Sequence, residues 1–434
     1  KEPFMRQYSW LSDLKIRGGW GITGIDNIGQ YKYQLYYADS QSGVGAAGYQ
    51  DFGGVLYQAL HIREIPNNTI KWEEVEQLNI GVDFALYSNK LSGSVDYYKK
   101  TTTDMLIPLD IPTQTGFSSF LGNKATNLNQ GVDLIVSYKS NLGNAFLSVS
   151  GNATYNNNEV IDLQSTEDSP NFLTSGSIEF SPINRTQEQY SIASFYGFLA
   201  DGIITSQEQI DALNEAAPDG TYQNAGTQPG DILYRDIASR DANGNIVMVP
   251  DGQITEEDQT FIGSPWPDWI FGLNVNLTFK SFDFNMQFTG QQGNKIFNEV
   301  KVWTDQMYGD ANTSTAVLDA WSLDNPNGVI PRLTSSDLNE NFIRPSTYFI
   351  ENGSFVRLKN IQIGYTLPST IANKIFTQNL RVYVSALNLL TFTSYSGIDP
   401  EFVNQSTSNK RQGVDQIDNY PQFKSYTLGI QVEF

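Results

Sequence analysis

The chain has 434 residues and a formal net charge of −20, with 39% hydrophobic residues and no cysteine. The missing thiols exclude disulfides, thiolate metal sites and cysteine nucleophiles. The single histidine, His61, excludes a multi-histidine metal site and leaves a serine-type triad only one candidate base. The acidity argues against nucleic acid as a partner, because phosphates would be repelled, and solvated acidic loops are its simplest interpretation.

Hydropathy excludes one class of membrane protein and leaves another open. The sequence contains no apolar run near the length of about 20 residues that a transmembrane helix needs. A mean hydropathy of −0.35 still suits a transmembrane β-barrel, because barrel strands alternate lipid-facing apolar residues with lumen-facing polar ones. The aromatic content of 13% fits the aromatic girdles of such barrels, although β-sandwich cores can also be aromatic-rich.

The first half of the chain is predicted to form strands joined by tight turns. Residues 14–24 alternate between apolar and polar positions, as do residues 75–88. The turn Asn89-Lys90 leads from the second of these into residues 91–100, which predicts a hairpin by register and turn chemistry. Residues 132–138 and 145–155, joined by a turn at 141–144, predict the next hairpin.

A short helix is predicted in the polar insertion that follows. Ser206 is a good N-cap with Glu208 and Gln209 in the first turn, so the helix should extend to about Ala216. This pattern indicates a role in loop packing and not in chemistry.

The acidic stretch of residues 230–263 is a candidate cation site. Carboxylates spaced around a glycine suit calcium, because the glycine permits the turn on which oxygen ligands converge. The candidate ligands are Asp241, Asn243, Asp251 and Asp258. Ile246 stands at the position where a calcium loop has its glycine, and a solvated turn without a cation is the alternative interpretation.

Strands are predicted at residues 269–279 and 282–290, followed by a long polar loop at 304–332. Such a loop is far longer than a hairpin needs and suits the extracellular side of a barrel. Trp303, Tyr308 and Trp321 in and beside it are candidates for stacking on sugar faces, or for packing within the loop itself.

Residues 349–368 combine a turn, an alternating run and a second turn. The alternation predicts one face with Phe355, Arg357, Lys359, Ile361 and Ile363, and Pro368 ends the strand. Further strands are predicted at 380–390 and 425–434, for a total of roughly 12 to 14 barrel strands.

The last strand alternates strictly and ends on an aromatic carboxylate, the pattern that bacterial barrel-insertion machinery recognises. Its apolar positions are Tyr426, Leu428, Ile430, Val432 and Phe434. A soluble edge strand seldom carries such a stripe, because an unprotected apolar edge invites aggregation. These five residues are therefore predicted to face lipid.

Residues 349–368 closely resemble the late-barrel phrase F-I-E-D-G-S-x-L-R-L-K-N-I-x-L-G-Y-T-L-P of SusC-like (SusC/RagA family) TonB-dependent transporters of Bacteroidetes. Residues 14–24 and 72–98 resemble two further phrases of this family, and the matches extend from about Leu14 to Phe434. The acidic stretch and the loop around Trp321 also resemble family segments.

The resemblance implies an all-β fold: a transmembrane antiparallel barrel of 22 strands with long extracellular loops and a separate plug domain. It implies TonB-dependent import of an oligosaccharide or peptide across the outer membrane, energised by the TonB complex. It also implies a SusD-like surface lipoprotein as partner, with the long loops meeting that lipoprotein. Residues 1–434 are expected to form a single barrel portion, with the remaining strands and the plug upstream of Lys1. A natural small barrel is the alternative interpretation.

Three other interpretations are weighed against the importer. A soluble extracellular glycan-binding adhesin would share the turns and aromatics, and a siderophore receptor would share the barrel. Adjacent acids such as Glu73-Glu74 and Glu256-Glu257 would point to opposite faces of a strand, so they do not suit the acid and base of a glycosidase. No enzymatic activity and no required cofactor are expected, with calcium as the one structural candidate.

Overall fold

The computed structural model describes most of the chain. The described residues are 7–26, 32–35, 37–39, 49–58, 60–62, 65–111, 113–117, 119–163, 171–178, 181–241, 245–307, 312–402 and 412–434. Within these ranges, no helix is both long and apolar enough to cross a membrane.

The described strands, in chain order, are β1 (Leu11–Ile25), β2 (Tyr37–Asp39), β3 (Tyr49–Phe52), β4 (Val55–Gln58), β5 (Leu60–Ile62), β6 (Glu73–Leu86), β7 (Leu91–Asp110), β8 (Ser119–Leu142), β9 (Ala145–Asp162), β10 (Phe172–Ile178), β11 (Ser181–Gln187), β12 (Ser194–Gly197), β13 (Ala200–Ile203), β14 (Ile232–Tyr234), β15 (Ser239–Arg240), β16 (Ile246–Val247), β17 (Thr260–Gly263), β18 (Trp269–Phe279), β19 (Phe282–Gln292), β20 (Lys295–Asn298), β21 (Ile350–Asn352), β22 (Phe355–Thr366), β23 (Asn379–Thr393), β24 (Val414–Asp415) and β25 (Ser425–Glu433). The α-helices are α1 (Gln207–Ala216), α2 (Val300–Thr304) and α3 (Ser369–Ala372).

Ten long strands form one antiparallel sheet, which we call the main sheet. Its spatial order is β1-β6-β7-β8-β9-β18-β19-β22-β23-β25, so each strand pairs with the next long strand along the chain. In the described part of the chain, β1 and β25 are its edges. Both predicted hairpins are confirmed, and β18 has the bounds that the sequence predicted.

The predicted count of roughly 12 to 14 barrel strands is too high for the described residues, where the main sheet has ten. The strands are longer than predicted instead. For example, β7 and β8 continue well past their predicted ends and pair as far as Asp110 with Ser119. Alternation in the sequence predicted the central residues of each strand. The residues at the strand ends become extended because they pair with a neighbouring strand, which the local sequence does not show.

The main sheet has one apolar and one polar face, and the apolar face is exposed. Ile16 is 76% exposed, Trp20 65%, Leu428 74% and Ile430 66%. Register places these positions in continuous rows across neighbouring strands, for example Val382 beside Ile430. A soluble protein seldom leaves so extended an apolar surface open to water, so this face suits lipid.

The alternation predicted for β22 is wrong beyond its middle, because the strand contains a β-bulge. Phe288 of β19 pairs with Leu358, and the preceding residue, Gln287, pairs with Asn360, which leaves Lys359 without a ladder partner. One extra residue shifts a period-two pattern by one position. The polar face therefore carries Phe355, Arg357, Asn360 and Gln362, and the apolar face carries Val356, Leu358, Ile361 and Ile363.

The C-terminal strand keeps its predicted phase. Tyr426, Leu428, Ile430 and Val432 pair with successive apolar-face positions of β23. Phe434 follows the end of β25 and is 84% exposed.

Candidate functional site

The connections between main-sheet strands differ sharply at the two ends of the sheet. At one end the chain turns within residues 87–90, 143–144, 280–281 and 367–378. At the opposite end the connections are residues 26–72, 111–118, 163–268, 293–354 and 394–424. In outer-membrane barrels short turns face the periplasm and long loops face the exterior, so the second end is the extracellular one.

Three of the long connections fold together into one packed body. We call the described residues of 163–268, 293–354 and 394–424 the loop cap. Its largest hydrophobic cluster combines side chains from all three connections: Ile178, Ile183, Phe195, Phe297, Val302, Phe342, Phe349 and Val414. Strand β20 pairs with both β21 and β24, which joins the second connection to the third. The cap thus has a core like that of a soluble domain.

A buried ion pair ties the first connection of the cap to the second. Asp231 is fully buried, and its carboxylate accepts a hydrogen bond from Nε of Arg332 at 2.7 Å. The preceding glycine, Gly230, has φ +97°, and an added Cβ would collide with the Trp321 ring and the Arg332 side chain. Only glycine fits there without strain, because other residues disfavour this backbone region.

Buried amides surround this ion pair. Asn341 donates to Asp231 at 3.1 Å and to Asp337 at 2.8 Å, while Asn339 donates to Asn341. Burial raises the pKa of the Asp337 carboxyl, although backbone hydrogen bonds from Phe342 and Asn341 act in the opposite direction. Such a network is stabilising only when its members are paired, which fixes the geometry of this part of the cap.

A second buried cluster joins the third connection to the main sheet. The guanidinium of Arg357 on β22 is 2% exposed and bonds the carboxylate of Asp399, the Glu401 carboxylate at 2.7 Å and the Thr391 hydroxyl. Lys359, the bulged residue, also reaches Glu401. Arg357 and Lys359 therefore both bind Glu401 of the third connection.

Charged and amide side chains cover the polar face of the main sheet. Arg17 on β1 bonds Asp83 and Asp96 at 2.8 Å. Near the other edge Arg381 pairs with Asp283 at 2.5 Å. Amide pairs lie between them, among them Asn158 with Asn129. This hydrophilic surface suits a water-filled lumen.

The structure separates the three predicted aromatic candidates. Trp303 lies on α2 and is 39% exposed, so it is available to a ligand or partner. Trp321 is 9% exposed and packs beside Gly230 inside the cap, which matches the self-packed alternative. Tyr308 lies outside the described residues.

The predicted cation ligands have local hydrogen-bonding partners. Asp258 is fully buried and accepts from the backbone amides of Ile237, Ala238 and Thr255. Asp251 accepts from the amide of Gln253.

Asp241 bonds Asn245, and Asn243 lies outside the described residues. Within the described ranges, no three acidic or histidine side chains are grouped as metal ligands. The calcium site stays a prediction.

Sequence reasoning missed the buried ion pairs of the cap. The partners Asp231 and Arg332 are about a hundred positions apart, and neither stands in a periodic pattern. The only local signal was the sequence Pro229-Gly230-Asp231, in which a glycine before an acid marks a special backbone position.

The sequence is similar to known outer-membrane receptors. The chain is 31% identical to TonB-dependent receptor P3 of Formosa agariphila and 28% identical to SusC of Bacteroides thetaiotaomicron, in both cases over 100% of this chain. It covers 40% and 39% of those relatives, so it spans about two fifths of their length. No family model matches.

Solved structures agree with these relatives. The RagAB peptide transporter superposes with a TM-score of 0.75 at 27% identity, covering 100% of this chain and 42% of the RagAB chain. Its open-open state gives a TM-score of 0.71 at 26% identity. The predicted all-β fold and outer-membrane location are confirmed, and the main sheet is a section of barrel wall. Over its whole length, the chain is similar to TonB-dependent receptors that include SusC.

Proposed function

We propose that this chain supplies barrel wall and extracellular loop cap to an importer that takes up nutrients across the outer membrane in a TonB-dependent manner. Residues 1–434 act as one barrel portion in this proposal. The observation that carries it is the two-faced main sheet, whose apolar face suits lipid and whose polar face suits a lumen, with the packed cap at one end.

The proposal includes a plug domain and the TonB complex in addition to this chain. Nutrients too large for a diffusive pore need a wide lumen, and a wide lumen must be sealed between transport events. A sealed lumen needs an energy input to open it, which is the role we assign to TonB. The relatives named as TonB-dependent receptors support this assignment.

A SusD-like lipoprotein is the proposed partner, and the loop cap is its docking surface. Large apolar side chains are exposed on the second connection of the cap, with Leu323 90%, Leu318 84% and Val329 63% exposed. Trp303 is exposed on the same connection. Aromatic and aliphatic side chains of this kind form the centres of protein interfaces.

The proposed substrate is an oligosaccharide or a peptide. The similarity to the RagAB peptide transporter supports a peptide, whereas the name of SusC specifies no substrate. A siderophore would require the same wall, and uptake assays distinguish the three ligand classes.

The adhesin and enzyme alternatives receive less support. A soluble adhesin has no use for an apolar face as exposed as that around Leu428. The acid pairs have structural contacts: Glu73 accepts from the amide of Leu106, and Glu257 bonds Arg240. The relatives bear the names of receptors and not of enzymes.

Deleting the gene in its native host tests the proposal. We expect loss of growth on either an oligosaccharide mixture or a peptide digest as limiting nutrient, with the same loss when tonB is disrupted. The tagged protein should copurify with a surface lipoprotein from detergent extracts. Unchanged growth on both nutrients in both strains would refute import.

A further inference from the structure

A pocket of about 550 Å³, partly open to solvent, lies in the loop cap between its second and third connections. The second connection contributes Asn298, Lys301 and Asp305, and the third contributes Asp399, Asp415 and Tyr420. The volume is within the range of small-molecule sites in proteins. The cavity is separate from the ion pair of Asp231 with Arg332.

Two of the three carboxylates that line the cavity lack a cation. Asp399 is paired with Arg357, and Lys301 with Glu351 at 2.8 Å. In the described part of the chain, neither Asp305 nor Asp415 forms an ion pair, although they are only 4% and 5% exposed. The pocket is therefore lined by two carboxylates that have no ion-pair partner.

The neutral contacts of these two carboxylates leave hydrogen-bonding capacity unused. One oxygen of Asp305, Oδ1, accepts from the hydroxyls of Thr304 and Ser314 at 3.1 and 3.2 Å. Its second oxygen receives no hydrogen bond from the residues that the structure describes. A carboxylate accepts about four hydrogen bonds, so Asp305 can still receive a donor from a ligand.

Asn298 adds an acceptor without a donor. This residue is 3% exposed, and its Oδ1 atom has no hydrogen-bond partner in the described structure. Its amide nitrogen donates to Glu351 at 3.0 Å, which fixes the orientation of the group because a carboxylate can only accept. Unpaired buried atoms of this kind are rare in native proteins, and this one lies beside the pocket with almost no accessible surface of its own.

Two neutral side chains donate hydrogen bonds to Asp415 and fix the orientation of its carboxylate. The hydroxyl of Tyr395 donates to it at 2.5 Å and the amide of Asn419 at 3.0 Å. Burial raises the pKa of Asp415, with Asp399 and Glu351 adding to the rise and the two donors opposing it. A bound cation would offset the desolvation of this carboxylate.

The remainder of the lining is mostly apolar and favours an organic ligand. Ile398, Ile417 and Pro421 line the cavity together with the ring of Tyr420. A hydrated metal ion needs oxygen ligands on most sides, whereas an organic cation can place a charged end at the carboxylates and an apolar body on this wall. The tyrosine ring adds a face on which a cation can rest.

We propose that this cavity binds a positively charged organic group of the imported substrate, an ammonium or guanidinium attached to an apolar body. The proposal rests on the import function proposed above. In a peptide the group would be the amino terminus or a basic side chain, and in an oligosaccharide it would be an amino sugar. Asp305 and Asp415 would contact the charge directly.

Calorimetry on the full-length transporter, purified in detergent with its copurifying partner, tests the proposal with matched probes. One pair is a pentapeptide of alanine and leucine with a central lysine and its norleucine analogue, both acetylated at the amino terminus. A second pair is the unacetylated and acetylated norleucine peptide, and a third is a glucosamine tetrasaccharide and its N-acetylated form. At least one charged probe should bind about tenfold or more tightly than its neutral analogue.

Asp305→Asn should abolish this preference, because it removes the charge and keeps an oxygen for Thr304 and Ser314. Asp305→Glu should restore part of it. The matched control is Asp324→Asn, which removes an exposed acid of the same connection that does not line the cavity and should leave the preference unchanged. Melting temperatures equal to that of the parent protein verify folding of each variant.

Several results would overturn the proposal. Equal affinity for the charged and neutral members of every pair would do so, as would no binding of any probe or a preference that survives Asp305→Asn. Calcium binding that is lost in Asp305→Asn would assign the cavity to a metal ion instead. TonB-dependent nutrient uptake without charge preference would refute only this inference, whereas absence of such uptake would refute the import function itself.

Discussion

The main sheet and the loop cap belong to one chain, but they place their apolar side chains in opposite ways. The sheet exposes its apolar side chains, such as Ile16 and Leu428, and collects its ions on the other face. The cap instead has a buried apolar core, with side chains such as Phe195 and Phe349 fully inaccessible. The comparison shows that the location of the apolar side chains indicates the surrounding medium. An exposed apolar face suits lipid around the sheet, and a buried apolar core suits water around the cap.

The two regions also differ in what holds them together. The sheet is a ladder of backbone pairs between strands that are neighbours along the chain. The cap depends on contacts between distant residues, above all Asp231 with Arg332 and Arg357 with Asp399. Removing a single side chain should therefore damage the cap more than the sheet, unless the side chain faces lipid.

The largest effect should come from Arg332→Met. It leaves the fully buried Asp231 carboxylate without its cation, which costs about 3–5 kcal/mol for a buried pair. We expect the loop cap of the full-length transporter to become sensitive to proteolysis while the barrel stays folded.

Arg235→Met is its matched control, because Arg235 pairs with Asp201 at the surface of the same cap and is 56% exposed. That loss should stay below about 1 kcal/mol. Equal protease sensitivity of the two variants would contradict the distinction between buried and exposed pairs.

The next effect should come from a charge placed on the apolar face of the sheet. Leu428→Arg should destabilise the barrel by about 2–4 kcal/mol if the residue lies near the bilayer midplane. Thr427→Arg, one position earlier and on the opposite face of β25, should cost much less. Urea titration of the protein refolded in lipid vesicles measures both, and equal losses would contradict a sheet with only one lipid-facing side.

A smaller effect is expected from Gly230→Ala. Its φ of +97° and the lack of space beside Trp321 should together cost about 1–3 kcal/mol. Gly220→Ala separates the two causes, because Gly220 has φ +77° with nothing within 4 Å of the added Cβ. Thermal unfolding of the cap should show a larger loss for Gly230→Ala, and the reverse order would exclude crowding against Trp321.

The smallest effect should come from the helix α1, which is local to the cap. Ser206→Ala removes the side-chain acceptor for the amide of Gln209 and should cost about 1 kcal/mol. Ser206→Thr keeps the hydroxyl and should stay within a few tenths of a kcal/mol. Hydrogen exchange in residues 207–209 measures the difference, and equal protection in both variants would contradict the capping role.

The sequence predicted what depends on local periodicity. Strand β18, the hairpin at 87–90 and the Ser206 cap of α1 follow from patterns a few residues long, and all three are confirmed. The faces of β22 were predicted wrongly beyond Lys359 because the strand contains a β-bulge there. Alternation alone does not predict a bulge, and no residue pattern around Lys359 indicates one.

The candidate sites were predicted less well than the strands. The aromatic residues were chosen for their type, and Trp321 belongs to the interior of the cap while Trp303 is exposed. The charges around the cavity, Asp305 and Asp415, come from different connections and meet only in the folded cap. Local sequence patterns do not predict such contacts between residues that are distant in the chain.

The most direct test of the central claim uses the absence of cysteine from this chain. After any cysteines outside this chain have been replaced, single cysteines at positions 427, 428, 430 and 431 of β25 can each carry a fluorophore in the full-length transporter reconstituted in lipid vesicles. We predict that a lipid-soluble quencher reaches labels at 428 and 430, and that a water-soluble quencher reaches those at 427 and 431. Equal quenching of all four labels by the water-soluble quencher would contradict a membrane-spanning wall.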